Sequence, residues 1–115
     1  MNDVTQLPSQ VKNATRKFAR LVRDQWPVQG VLLFGSQARG DARAGSDTDV
    51  AVLLQGTAGD FVDAKLAMDD VAYDLLLEFG VRIQPLPIWE SEWAQPERYS
   101  NPRLLHNIAH EGVLL

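Results

Sequence analysis

The sequence predicts an α+β fold: a small mixed β-sheet with helices packed on it. Three observations carry this. Two short, continuously apolar runs, "GVLLFGS" and "TDVAVLLQ", have the length of buried strands and are too short for core helices. Two longer stretches repeat apolar residues at three- and four-residue steps, the period of a helix with one buried face. The predicted elements then run helix, strand, loop, strand, helix, strand, helices. A chain of 115 residues, 45% hydrophobic and 23% charged, has the size and balance of one domain spanning residues 1–115.

Taken in order, Pro8 opens the first helix and Ser9 assists its start. Val11, Ala14, Phe18, Leu21, Val22 and Trp26 then form its apolar face, and Pro27 ends it. "GVLLFGS" is the first strand. "QARGDARAG" is polar and glycine-bounded, a loop or a short helix with a turn. "TDVAVLLQ" is the second strand. "DFVDAKLAMDDVAYDLLLEFG" is a helix with Gly80 as its stop, and Phe61, Leu66, Met68, Val71, Ala72, Leu75 and Phe79 are its apolar positions. "VRIQPLPIW" alternates, and Pro85 and Pro87 mark an edge position or a strand end. Ser91 is expected to cap a short helix over "SEWAQPERY". "NPRLLHNIAHEG" reads as a last helix with Asn101 as cap, Pro102 at its first position and Gly112 as stop.

Composition narrows the function. The net charge is −4 and the pI about 5.0, whereas proteins that grip nucleic acid neutralise phosphates with a basic surface. No direct nucleic-acid partner is expected. No run is long and apolar enough to span a membrane, and "MNDVTQLPSQ" has neither the basic nor the apolar region of a secretory leader. With no cysteine there is no disulfide framework and no thiol chemistry. A cytoplasmic protein is the expectation.

The chemistry concentrates in "GSQARGDARAGSDTDVAVLL", residues 35–54. Asp47 and Asp49 flank one residue at the start of a strand, and residues i and i+2 of a strand project to the same side. Two carboxylates placed so closely repel unless a cation lies between them. A hard divalent ion such as Mg²⁺ suits such oxygen ligands and keeps positions for water and phosphates. Gly35 ends the preceding strand, where a residue without Cβ lets the backbone approach a ligand. Ser36 adds a hydroxyl, and Arg39 or Arg43 a fork of donors, to a plausible cradle for nucleotide phosphates.

Gly35-Ser36, ten intervening residues, then Asp47-Thr48-Asp49 resembles the signature of the DNA polymerase β-type nucleotidyltransferase superfamily. The fuller stretch resembles the minimal nucleotidyltransferase (MNT) family of prokaryotes, and "NPRLLHNIAHEGVLL" resembles the ending of some small members. The resemblance implies the polymerase β-type fold. It implies ATP as nucleotide, bound through Gly35 and Ser36 with Arg39 assisting by its own donors, and Mg²⁺ on Asp47 and Asp49 as catalytic ligands. It implies a HEPN-type toxin as partner in a hetero-oligomer, with AMP transferred to a hydroxyl of that partner. The resemblance also implies a third acid on the strand "VRIQPLPIW", where this sequence has Gln84 and no acid before Glu90. A neutral amide cannot deprotonate a hydroxyl. The alternative is therefore a catalytically weak or inactive antitoxin that neutralises its toxin by contact. Glu78 and Glu90 are the substitutes by sequence distance. An aminoglycoside-modifying type of transferase would need an added acceptor domain, for which the stretch after Asp49 leaves little room.

Other residues have plainer readings. His106 and His110 stand four apart on the last helix without a third ligand, so an exposed face outweighs a metal site. Trp89 and Trp93 favour core packing over partner contact. Asp69, Asp70 and Asp74 read as a solvated helix face, and Lys65 as a surface lysine.

Overall fold

The computed structural model describes residues 7–115. The reading of a missing leader falls largely on residues 1–6, outside this range. Helix α1 (Ser9–Gln25) buries Val11, Ala14, Phe18 and Val22 of the predicted face, with Thr15 and Ala19 beside them, while Leu21 and Trp26 are half-buried. Pro8 sits just before the helix rather than inside it, and Trp26, with Pro27 behind it, leaves the helix in an extended conformation. Strand β1 (Val28–Phe34) leads into α2 (Ser36–Arg39), a single helical turn, and then into strand β2 (Thr48–Leu54).

Asp60 starts α3 (Phe61–Phe79) by accepting a hydrogen bond from the Asp63 amide at 3.0 Å, and left-handed Gly80 (φ 70°) stops it. Strand β3 (Ile83–Trp89) follows. A short helix α4 (Glu90–Ala94) and a 3₁₀ turn (Pro96–Arg98) lead to α5 (Pro102–Glu111). Asn101 caps α5 by accepting from the Leu104 amide at 3.3 Å. Two residues, Val113 and Leu114, form strand β4, which the sequence pattern did not reveal. Two residues are too few for any periodicity.

The sheet order is β3-β2-β1-β4. Strand β1 pairs antiparallel with β2 and β4, and β2 pairs parallel with β3. A parallel neighbour needs a crossover, which α3 supplies. The prolines of β3 lie on a sheet edge, where a missing donor costs no ladder bond. Alternation along β2 divides the interior in two. Val50, Val52 and Leu54 join Phe18, Val22, Met68 and Leu75 in the larger cluster, under α1 and α3. Ala51 and Leu53 face the smaller cluster with Ile88, Leu105 and Ile108, under α5.

Two expectations need correction. Leu66 is exposed because α3 turns Met68, Val71, Ala72 and Leu75 inward, and Phe61, on their side but first in the helix, is exposed as well. Ser91 does not cap α4. Its hydroxyl accepts from the Ala58 amide, while the Glu92 carboxylate accepts from the Trp89 amide at 3.0 Å.

Candidate functional site

The end of β1 and the start of β2 meet at one place. Phe34 is the antiparallel partner of Asp49, so the glycine that follows Phe34 falls beside that carboxylate. Gly35 has φ +77°, and a Cβ there would stand 2.5 Å from Asp49 Oδ2. Only glycine meets both demands without strain. The turn therefore brings the Gly35 amide and the start of α2 against Asp49. On the other side of Asp49, the parallel register pairs it with Gln84 of β3. Asp47 is exposed immediately before β2, and Arg82 approaches its carboxylate at 3.9 Å.

The electrostatics suit a cation. Burial, and then the charge of Asp47, push the Asp49 carboxyl up from its ordinary value, and Arg39 offsets this in part. Arg39 is itself engaged. Its Nε donates to Asp41 at 3.3 Å and its Nη1 to Glu111 at 3.2 Å. Two oxygen ligands, one strained by its neighbour's charge, fit a hard divalent ion that keeps other positions for water and phosphate. Among the described residues no group of three or more His, Cys, Asp or Glu is placed to hold a metal ion.

Glu111 was not singled out by sequence. Its Oε1 accepts from the Gly35 amide at 3.3 Å as well as from Arg39, so a carboxylate from the end of α5 reaches two donors of the turn beside Asp49. A signal was present. An acid in the last turn of a helix opposes the helix dipole, which argues for a partner elsewhere.

The remaining candidates lie apart from this site. Glu78 pairs with Lys17 at 2.7 Å. Glu90 accepts from Gln29 and from the Gly56 amide, beyond the end of β2 away from Asp49. Neither replaces the acid missing at Gln84. Arg43 uses its amide to donate to Ser46, in the loop before Asp47. Lys65 pairs with Asp69 on α3 at 2.5 Å. Trp89 is buried in the larger cluster and Trp93 packs on the smaller one, in line with core packing. His106 and His110 are exposed on α5. A concavity of about 370 Å³ is lined by Arg43, Ser46, Thr48 and Arg82 and by neither Asp47 nor Asp49. The buried Thr48 hydroxyl, which has no hydrogen-bond partner among the described residues, belongs to a residue of its wall.

A model of the nucleotidyltransferase domain matches residues 15–106. The chain belongs to that family. Glu111 falls outside the matched span. Over 44 residues this nucleotidyltransferase domain is 39% identical to the candidate protein adenylyltransferase MJ1379 of Methanocaldococcus jannaschii, a stretch covering 38% of this chain and 44% of the relative. The chain thus matches less than half the length of that relative. Among solved structures, a candidate nucleotidyltransferase from Sulfolobus solfataricus shares the fold, with a TM-score of 0.58 and 21% identity over 92% of this chain and 81% of that one. A toxin–antitoxin structure with AMP-PNP gives 0.59 and 22% over 89% and 69%. A mutant of the toxin–antitoxin MntA-HpeT gives 0.59 and 25% over 87% and 69%.

Proposed function

We propose that this nucleotidyltransferase domain binds ATP with Mg²⁺ and transfers AMP to a hydroxyl of a partner protein, as the antitoxin of a HEPN-type toxin. The observation that carries the reading is the contact at Gly35. Its backbone stands so close to Asp49 that a Cβ would reach 2.5 Å from the carboxylate. A backbone amide and a carboxylate are thereby set side by side, an arrangement that suits a metal–triphosphate. The toxin–antitoxin neighbours and the adenylyltransferase relative support a protein partner and a nucleotide.

In this reading the Gly35 amide and Ser36 hold the triphosphate, and Arg39 donates to its oxygens. Asp47 and Asp49 hold the metal, which when bound neutralises charge on the phosphates and on the leaving pyrophosphate. The acceptor oxygen attacks the α-phosphorus, the bond to the bridging oxygen breaks, and pyrophosphate leaves. The acceptor's proton needs a base, and Gln84, beside Asp49, cannot serve. Missing base catalysis costs about 10²–10⁴-fold in rate. Gln84 therefore favours the second reading, a slow or silent transferase that acts by contact.

Calorimetric titration with ATP and Mg²⁺ tests the site. Metal-dependent binding is expected, and its loss in Asp47→Asn/Asp49→Asn. A wild-type chain that binds no nucleotide, with or without its partner, defeats the reading. Gln84→Asp then separates the two roles. AMP transfer that rises about tenfold or more identifies the missing acid as the limit. Unchanged inactivity with intact toxin neutralisation assigns the chain to contact.

A further inference from the structure

Helix α3 is apolar on two faces, and the sheet covers one of them. Met68, Val71, Ala72 and Leu75 are buried, whereas Val62, Leu66, Tyr73 and Leu77 are 60%, 58%, 58% and 68% exposed. Steps of four, seven and four residues align these four along one line of the helix, about 22 Å long at 1.5 Å per residue. Single exposed apolar residues are ordinary, but a contiguous stripe marks an interaction surface. Its borders are charged. By helical position Asp63, Asp70 and Asp74 run along one side, and Asp69, holding Lys65 at 2.5 Å, lies on the other.

We propose that this stripe is the docking surface for an amphipathic helix of a different protein, one whose own apolar stripe is bordered by lysine or arginine. The charge pattern selects that occupant. In an antiparallel two-fold pairing of α3 with a second copy, the two rows of Asp63, Asp70 and Asp74 stand side by side. In a parallel pairing each row meets the other copy's Asp69, whose lysine is already paired. Like charges across a contact disfavour it, while a basic border converts the same row into attraction. Apolar anchors four, seven and eleven residues apart are how a helix reads such a surface.

The surface also leads to the site. A cavity of about 230 Å³, lined by Asp69, Tyr73, Leu76, Arg82 and Gln84, runs from the stripe to the neighbour of Asp49. A partner held on α3 leaves the sheet face carrying Asp49 open and reaches it around the edge of β3. The inference rests on the proposed function only for the existence of a protein partner.

The test uses the ¹⁵N-labelled full chain and two synthetic helical peptides. Both carry leucines at i, i+4, i+7 and i+11; one is bordered by lysine and the other by glutamate. The lysine peptide is expected to shift the amides of residues 62–77 and the glutamate peptide to leave them in place. Leu66→Ser/Leu77→Ser, at exposed positions, should keep the wild-type amide spectrum elsewhere and bind the lysine peptide at least about tenfold more weakly. Asp70→Lys/Asp74→Lys should reverse the preference between peptides. The proposal is overturned by shifts mapping to another surface, by equal binding of both peptides, by binding of neither, or by concentration-dependent shifts of 62–77 in the free chain, which would give the stripe to a second copy. ATP titration of the same variants separates the two readings. Lost peptide binding with retained nucleotide binding is expected, and absent nucleotide binding with an intact peptide site counts against the proposed function alone.

Discussion

At the residue scale the site holds two negative charges in unfavourable places. Asp49 is half-buried beside Asp47, and burial followed by that neighbour raises its carboxyl above the ordinary value. A group whose pKa rises on folding contributes stability that is full below its unfolded pKa and is lost as pH rises through the folded one. At neutral pH an ionised Asp49 is therefore a burden on the fold. Asp49→Asn is expected to raise the melting temperature of the metal-free protein at pH 7. The gain should vanish once acid protonates the wild-type carboxyl, and thermal melts at pH 7 and pH 3 would show it. Glu111 is the second charge. Its carboxylate accepts from Gly35 and Arg39, the donors proposed for phosphate, so an arriving triphosphate meets a like charge there. Glu111→Gln keeps an acceptor oxygen and removes the charge. ATP affinity with Mg²⁺ should tighten by about three- to tenfold, measured by calorimetry. Unchanged or weaker binding would make Glu111 a brace for Arg39 instead.

At the element scale the connection after β2 is tied down by an acid from the start of α4. Glu90 accepts from the Gly56 amide at 3.0 Å and from Gln29 at 3.1 Å, and these bonds, the amide first, hold its carboxyl below the usual glutamate value. The contribution is present above the unfolded pKa and lost as pH falls through the lower folded one. The Gly56 amide proton should therefore titrate with a midpoint below 4.5, followed by NMR, and Glu90→Gln should abolish the step. The same scale explains what the sequence made legible. Long elements with a strict period, α1 and α5, were readable because one face of each is buried and the other solvated. Helix α3 was not readable in full, since it is apolar on both faces and periodicity alone does not say which one the sheet covers. The motif from Gly35 to Asp49 lies within one stretch of chain and could be seen directly. The place of Gln84 beside Asp49 could be guessed and needed the parallel register to fix it. Glu111 comes from the far end of the chain, 76 residues beyond Gly35, and no local pattern carries such a contact.

At the scale of the whole molecule, one central strand serves both interiors. Strand β2 gives Val50, Val52 and Leu54 to the larger cluster and Ala51 and Leu53 to the smaller, so loss of packing on one side is felt by the other through the same backbone. The smaller cluster is the thin one, in which Leu105 and Ile108 of α5 are buried against Ala51 and Ile88. It also anchors the helix that presents Glu111 to the proposed phosphate cradle. Leu105, 1% exposed, is its largest lever on that helix. Leu105→Ala should destabilise the fold by about 2–5 kcal/mol, the range for an emptied leucine site. Its reach should also be visible below global unfolding. If α5 loosens as a unit, amide exchange of residues 102–111 and of Gly35 accelerates together, because the Gly35 amide donates to Glu111. Phe18→Ala in the larger cluster is the control. It should cost about 3–5 kcal/mol and speed exchange throughout the sheet without singling out Gly35. Native-state hydrogen exchange on the two variants separates these patterns. Coupled exchange of α5 and Gly35 would mean that the cradle's shape depends on how firmly the chain's last helix is seated, and independent exchange would confine Glu111 to a local contact.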